Sequence, residues 1–189
     1  MSSIQSGVDI ALVHYPVVNK IGEVIGSAVT NLDLHDIARA SATYGVDNYY
    51  IVTPYEDQQK LVTEILEHWE TGHGATYNPA RKEALAKVTL ATNLDEVIEE
   101  ISSNRNSRPL LLTTSAKAQE KTLSYEAARE KIQKKEAMLL LFGTAHGLTS
   151  EVMEMADFSL LPVGGNTDYN HLSVRSAVSI VLDRLLRAE

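Results

Sequence analysis

Six short runs rich in Val, Ile, Leu and Tyr alternate along the chain with longer stretches that have helical spacing. This alternation constrains the fold most, because it is typical of a parallel sheet whose strands are joined by crossover helices. The run "AMLLLF" is apolar at nearly every position, which predicts a strand covered on both faces. The predicted strands are residues 9–15, 47–53, 87–92, 109–114, 137–142 and 158–161.

The intervening stretches predict helices, and two of them have polar residues that suit a helix start. Asn93 or Asp95 is the expected N-cap of one helix and Ser124 of another. The last helix is apolar around most of its circumference, so we expect it to be buried against the sheet or another subunit. Glycines and a proline predict a loop over 71–82. The predicted helices are 33–44, 56–70, 94–103, 124–135, 149–156 and 172–187.

These elements predict an α/β fold: a mostly parallel six-stranded sheet with helices on both faces. The length of 189 residues fits one domain, predicted over 1–189. The net charge of −8 disfavours broad nucleic-acid binding, although a local basic face remains compatible with it. The chain has no cysteine, no basic signal-peptide region and no apolar run near the ~20 residues of a membrane span. We therefore expect a cytoplasmic protein without a membrane span.

Three polar connections that contain glycine follow apolar segments, at 30–46, 141–149 and 162–178. Their position matters because ligands of parallel sheets bind beyond the carboxyl ends of the strands. "FGTAHGL" (142–148) suits a tight turn whose backbone amides face a ligand, or a purely structural turn. It is neither a Walker loop nor GxGxxG, which disfavours an NTPase that cradles phosphates.

Several polar side chains in these connections allow two interpretations. Arg39 is either a surface residue that pairs with Asp36 or a catalytic or anion-binding group. His146 and His171 are acid–base groups or ordinary hydrogen-bonding residues. The histidines show no metal-binding spacing, so no metal site is predicted. Ser173 lacks the GxSxG elbow of serine hydrolases.

Taken together and in order, the three connections resemble the motifs of the SPOUT superfamily of S-adenosylmethionine (SAM)-dependent RNA methyltransferases. The matching stretches are "HDIARASATYGVDNYYIV" (35–52), "LLLFGTAHGL" (139–148) and "LLPVGGNTDYNHLSVRSAVSIVLDRLL" (160–186). The whole chain resembles a small bacterial family of this superfamily, which also has a loop similar to "GATYNPARKEAL" (74–85).

The resemblance implies a C-terminal deep trefoil knot, SAM as the cofactor, and a homodimer formed through the C-terminal helix. It implies methylation of tRNA or rRNA, on base or ribose, without a metal. A SAM- or nucleotide-binding protein without catalysis, or a dimerisation protein of the same fold, is the alternative.

The resemblance, together with the chemistry of methyl transfer and the basic residues of the 71–87 loop, suggests roles for individual residues. Four are catalytic candidates: Arg39, Asp36, Asp168 and His171. Three are candidates for RNA binding: Arg39, Arg81 and Lys82. The cofactor candidates are Leu141, Phe142, Gly143, Thr144, Gly147, Leu148, Leu161, Val163, Gly164, Asn170, His171, Leu172 and Ser173.

This chain departs from the pattern of many ribose-methylating relatives at three places. Asp33 stands where they have an asparagine six residues before the motif-one arginine. Ala145 stands where they tend to have a glutamate, and "YNH" (169–171) replaces their Ser-Leu-Asn. These departures disfavour ribose 2′-O methylation and leave base methylation open.

Overall fold

The computed structural model describes residues 6–188, apart from the side chains of residues 73 and 75. The first five residues and the last one of the predicted 1–189 domain therefore lie outside the description. The strands are β1 (Val8–Val13), β2 (Val17–Val18), β3 (Val24–Ile25), β4 (Tyr49–Val52), β5 (Val88–Ala91), β6 (Leu110–Thr113), β7 (Thr122–Leu123), β8 (Met138–Gly143) and β9 (Phe158–Leu160). The helices are α1 (Asn31–Tyr44), α2 (Glu56–Glu70), α3 (His73–Tyr77), α4 (Pro79–Leu85), α5 (Leu94–Arg105), α6 (Tyr125–Gln133), α7 (Ser150–Met155) and α8 (Val174–Leu186).

The main sheet has the strand order β5-β4-β1-β8-β6-β9-β7, and every pairing within it is parallel. One face is covered by α1, α2, α4, α6 and α8, and the other by α5 and α7. The predicted α/β fold with helices on both faces is thus confirmed. Strand β8 lies near the middle, and its apolar residues are buried toward both faces, as "AMLLLF" predicted.

Two predicted helix starts are confirmed by side-chain hydrogen bonds. Asn93 Oδ1 accepts from the Glu96 amide, and Ser124 Oγ accepts from the Ala127 amide. Such caps satisfy amide groups that have no partner within the helix. Asp95 lies in the first turn of α5 rather than at its cap.

The structure corrects the prediction in three places. The sheet has seven strands rather than six, because the short β7 pairs with β9. An additional two-stranded hairpin, β2–β3, follows β1. Residues 71–82 are not a loop throughout: they include α3 and the start of α4. Pro79 opens α4 rather than breaking it, because the first helical position needs no amide donor and Asn78 caps the helix.

Helix α8 buries its apolar side within this chain. Val178, Val181, Leu182 and Leu185 are buried, and the helix packs mainly on α1 and α6. Tyr44 of α1 donates a hydrogen bond to Asp183 at 3.1 Å. Dimerisation through α8 and the knot both stay predictions. Among residues 6–188, no helix combines the length and apolar character that a bilayer crossing requires.

Candidate active site

A groove of about 1440 Å³ opens beyond the carboxyl ends of β6, β8 and β9. The chain places β4 and β5 on one side of β1, and β8, β6, β9 and β7 on its other side. Ligands of open α/β sheets bind at such a reversal of strand order. The groove walls come from the connections that follow these strands, so segments distant in sequence meet there.

The second-motif loop, residues 143–148, forms the tightest wall of the groove. A Cβ atom on Gly143 would lie 2.7 Å from the Leu148 amide nitrogen, so only glycine fits there without movement of the backbone. Ala145 and Gly147 have positive φ angles of 51° and 114°. The Gly147 amide donates to the Thr144 carbonyl at 2.9 Å. The loop therefore folds back sharply and presents backbone groups to the groove.

The β2–β3 hairpin is hydrogen-bonded to the second-motif loop and holds it in place. The Val18 amide donates to the Gly147 carbonyl, and the His146 amide donates to the Val18 carbonyl, both at 3.0 Å. Asn19 stabilises the hairpin turn, because its side-chain oxygen accepts from the Ile21 and Glu23 amides. The sequence analysis missed the hairpin, although a turn containing asparagine and glycine between two pairs of β-branched residues was a usable signal.

The third-motif segment, residues 161–173, forms the opposite wall. Asn170 donates to the Ala116 carbonyl at 2.9 Å, and Tyr125 donates to the Leu161 carbonyl at 3.0 Å. Ser173 caps α8 by accepting from the Ser176 amide. Most other residues of the segment are exposed, including Tyr169 at 74%. This wall is therefore attached at a few points only.

A charged cluster of Asp33, Asp36 and Arg175 joins α1 to α8 beside the groove. Arg175 Nη1 donates to Asp33 Oδ1 at 2.6 Å, and its Nε lies 3.6 Å from Asp36 Oδ2. Thr30 donates to the second Asp33 oxygen at 2.7 Å. Asp33 and Arg175 line the groove. The Arg175 guanidinium thus compensates the Asp33 carboxylate beside the groove, whose lining also includes Lys117, Lys121 and Glu120.

The structure brings most cofactor candidates to the groove. All line it except Leu141, which is buried within β8, and Gly164. Of the catalytic candidates, His171 lines the groove, whereas Asp36, Arg39 and Asp168 do not. Lining residues that the sequence analysis did not select include Ser27, Asp33, Lys117, Lys121 and Arg175.

The predicted RNA-binding cations lie elsewhere, on α1 and α4. Arg81 lies over the Trp69 ring at 5.1 Å, and His35 meets the same ring edge-on at 5.4 Å. Burial, together with the positive charges of Arg81 and Arg39, lowers the pKa of His35 although Asp36 opposes this. Both arginines are thus close to one histidine. Lys82 donates to the Glu70 carbonyl at 2.7 Å. We call Arg39, Arg81 and Lys82 the basic patch.

The groove suits a nucleoside ligand better than a metal. The second-motif loop supplies backbone groups, Leu148 and Leu161 supply apolar surface, and both acidic and basic side chains line the groove. Within the described part of the chain, no three His, Asp or Glu side chains are grouped to hold a metal ion.

Comparison with known proteins agrees with this fit. Residues 7–187 match the model of a family described as SAM-dependent RNA methyltransferase. A protein of Oleidesulfovibrio alaskensis named tRNA (guanine-N(1)-)-methyltransferase is 46% identical over 176 residues, which are 93% of this chain and 41% of that protein. This chain therefore spans about two fifths of that relative. An uncharacterised protein of Aquifex aeolicus is 44% identical over 183 residues, 96% of this chain and 89% of that protein.

A solved structure shows the same fold. The SpoU methyltransferase AviRb from Streptomyces viridochromogenes, in complex with the cofactor AdoMet, superposes with a TM-score of 0.57. It shares 12% identity, and the match covers 94% of this chain and 56% of that one. The resemblance to SPOUT enzymes is thereby confirmed at the level of the fold.

Proposed function

Because the chain belongs to the family of SAM-dependent RNA methyltransferases, we propose that it transfers the methyl group of SAM to a tRNA. The observation that carries this proposal is the groove, whose two walls are the second- and third-motif segments within the matched residues 7–187. The name of the 46% identical relative supports tRNA as the substrate.

The residues that line the groove have two kinds of role: some contact the cofactor, and others carry charge. Backbone groups of 143–148, with Leu161, Val163 and Leu172, hold the cofactor without long flexible side chains. When bound, SAM supplies a methyl group on a positively charged sulfur. The Asp33 carboxylate, held by Thr30 and paired with Arg175, is one of the charged groups that line the groove.

A nucleophile that carries a proton must lose it during methyl transfer. His171 lines the groove, where an imidazole nitrogen could act as the proton acceptor. Asp36, Arg39 and Asp168 lie outside the groove of a single chain. They contribute to catalysis if a second copy presents them to the groove, as the proposed homodimer through α8 would allow.

The basic patch is the proposed surface for the tRNA backbone. Trp69 supports the Arg81 guanidinium from its ring face, which reduces the freedom that Arg81 loses on binding phosphate. Because these cations are grouped on one surface, RNA binding there is compatible with the net charge of −8 of the whole chain.

Charge reversal of the patch tests this surface. Arg81→Glu with Lys82→Glu should weaken tRNA binding and lower the slope of log affinity against log salt by about 0.7–0.9 for each phosphate that is no longer neutralised. Lys60→Glu with Lys134→Glu is the matched control, since these exposed lysines lie outside the patch and the groove. Equal salt slopes for wild type and patch variant would reject the patch as the RNA surface.

A second candidate concerns the position methylated. Because this chain spans 41% of the relative named for guanine N1, that activity belongs either to the matched part or to the remaining part of the relative. Many ribose-methylating relatives have an asparagine at the position of Asp33, so the aspartate favours methylation of a base over ribose. An N–H group of a base also gives up its proton more readily than a ribose hydroxyl does.

The experiment is incubation of the purified chain with methyl-labelled SAM and tRNA from cells that lack this protein. Label should enter tRNA, and mass spectrometry of nucleosides should identify the product, with rRNA as the comparison substrate. If calorimetry shows SAM binding but neither RNA takes up label, the methyltransferase proposal fails.

A further inference from the structure

His14 is buried at the carboxyl end of β1 and begins a series of three hydrogen-bonded side chains that ends in the second-motif loop. Its Nδ1 lies 3.0 Å from Ser27 Oγ, and Ser27 Oγ lies 2.5 Å from Thr144 Oγ1. Thr144 Oγ1 donates to the Val13 carbonyl at 2.9 Å. The series therefore connects β1, the segment after the hairpin, and the loop beside the groove.

The direction of these hydrogen bonds follows from counting protons. Each hydroxyl has one proton to donate. Thr144 gives its proton to the Val13 carbonyl, so Ser27 donates to Thr144 at 2.5 Å rather than to the His14 carbonyl, which is 3.5 Å away. Ser27 has then used its own proton, so it must accept from His14, whose hydrogen is therefore on Nδ1. Burial lowers the pKa of His14, although nearby Asp33 opposes this, so the ring is neutral near pH 7.

The arrangement fixes the orientation of Thr144. Its amide also donates to the Val13 carbonyl, at 3.3 Å, and the Ser27 amide donates to the His14 carbonyl at 2.8 Å. Thr144 precedes the strained part of the loop, where Ala145 has a positive φ angle. Ser27 and Thr144 line the groove, whereas His14 does not. An effect of His14 on a ligand must therefore pass through these two hydroxyls.

Stability gives only a partial reason for a histidine at this position, because its Nδ1 bond to Ser27 is offset by a second ring nitrogen that is unpaired within residues 6–188. Its Nε2 atom is buried and has no hydrogen-bond partner among the described residues. A buried polar atom without a partner costs stability, and an apolar side chain of similar size can be neutral or stabilising there.

We infer that His14 is a positioning residue of the cofactor site, which orients Thr144 through Ser27 and thereby shapes the loop that would hold SAM. The inference rests on the proposed function in one respect, namely that SAM is the ligand of this groove. His14 takes no part in methyl transfer itself.

Three variants test the inference by calorimetric titration with SAM. His14→Leu and Ser27→Ala break the series and should weaken SAM binding about tenfold, the ratio that corresponds to ~1.4 kcal/mol. His14→Asn retains a side-chain N–H near the position of Nδ1 and should recover most of the affinity. Thr43→Val is the control, because it removes an exposed hydroxyl bond on α1.

A second measurement needs no cofactor. NMR of the ¹⁵N-labelled, ligand-free protein should show His14 as the neutral tautomer with its hydrogen on Nδ1. Hydrogen on Nε2 instead would overturn the inference.

The outcomes separate the inference from the proposed function. Wild-type affinity in folded Ser27→Ala or His14→Leu protein overturns the inference and leaves the methyltransferase proposal intact. Absence of SAM binding by the wild type overturns both. If His14→Leu fails to fold, Ser27→Ala carries the test, with the melting temperature as the check on folding.

Discussion

The two walls of the groove are held in very different ways. The second-motif loop is clasped by a hairpin, anchored to Val13 through Thr144, and so close-packed that Gly143 has no room for a side chain. The third-motif segment between Pro162 and Asn170 is mostly exposed, and Cβ atoms on Gly164 or Gly165 would touch nothing. The second-motif loop is thus held in one conformation in the free protein, whereas the third-motif segment leaves its surface exposed to solvent.

The difference indicates that the two walls contribute to ligand binding in different ways. Preorganised donors and backbone groups bind a ligand with little loss of conformational entropy. An exposed segment with Tyr169 and Leu172 at its end buries apolar surface when a ligand or a second subunit covers it. We therefore expect substitutions in the first wall to act on cofactor affinity, and equivalent substitutions in the second wall to be tolerated by the free protein.

The largest expected effect comes from one methyl group added to the second-motif loop. Gly143→Ala places a Cβ against the Leu148 amide and forces the backbone to move, at a cost of about 1–3 kcal/mol. Affinity for SAM, measured by calorimetry, should fall about 10- to 100-fold. Gly164→Ala is the matched control and should leave the affinity within about twofold. Equal losses would show that the two walls are equally constrained.

The next effect concerns the link between α1 and α8. Arg175→Met leaves the Asp33 carboxylate, whose side chain is 9% exposed, without its cation. Since Arg175 itself is 31% exposed, solvent reduces the loss, and we expect the free energy of unfolding to fall by about 1–2 kcal/mol. Urea denaturation measures this change.

The double variant Asp33→Asn with Arg175→Met should recover part of that stability, because the uncompensated charge is removed. Asp36→Asn should cost only a few tenths of a kcal/mol, since its pair is longer, at 3.6 Å, and about half exposed. A double variant less stable than Arg175→Met alone would contradict the ion-pair explanation.

A small effect is also expected in the third-motif segment. Asn170→Ala removes the bond to the Ala116 carbonyl, which is exposed, and should lower the free energy of unfolding by about 0.5 kcal/mol. Limited proteolysis should then cut between residues 161 and 173 faster than in the wild type, while the 143–148 loop stays resistant. Faster cutting in both segments would mean that the walls are coupled.

Local features were predictable from the sequence because their causes lie within a few residues. The apolar run of β8 and the caps at Asn93 and Ser124 are examples. The helices at residues 71–85 were misread because glycine and proline usually signal loops, whereas here Pro79 occupies the one part of a helix that tolerates it. The hairpin was missed because its strands have two residues each, too few for a periodic pattern.

The loops that line the groove were predicted from motif order, but the residues that hold them in place were not. No sequence pattern links His14, Ser27 and Thr144, since the two residues of the Ser27–Thr144 hydrogen bond are 117 positions apart. Asp33 and Arg175 are 142 positions apart, and Asp33 drew attention only as a departure from relatives. Such pairs become visible only when the chain is folded.

The sequence by itself determined the alternation of strands and helices, the buried character of β8, and the loops that bear glycine at the strand ends. Hydrophobic periodicity and local capping decide those features, and both act over short distances along the chain. Only the tertiary structure decided which loops meet, that a hairpin clasps one wall, and that the basic patch lies away from the groove. Sheet order decides those features, because parallel pairing brings together strand ends that lie far apart in the chain.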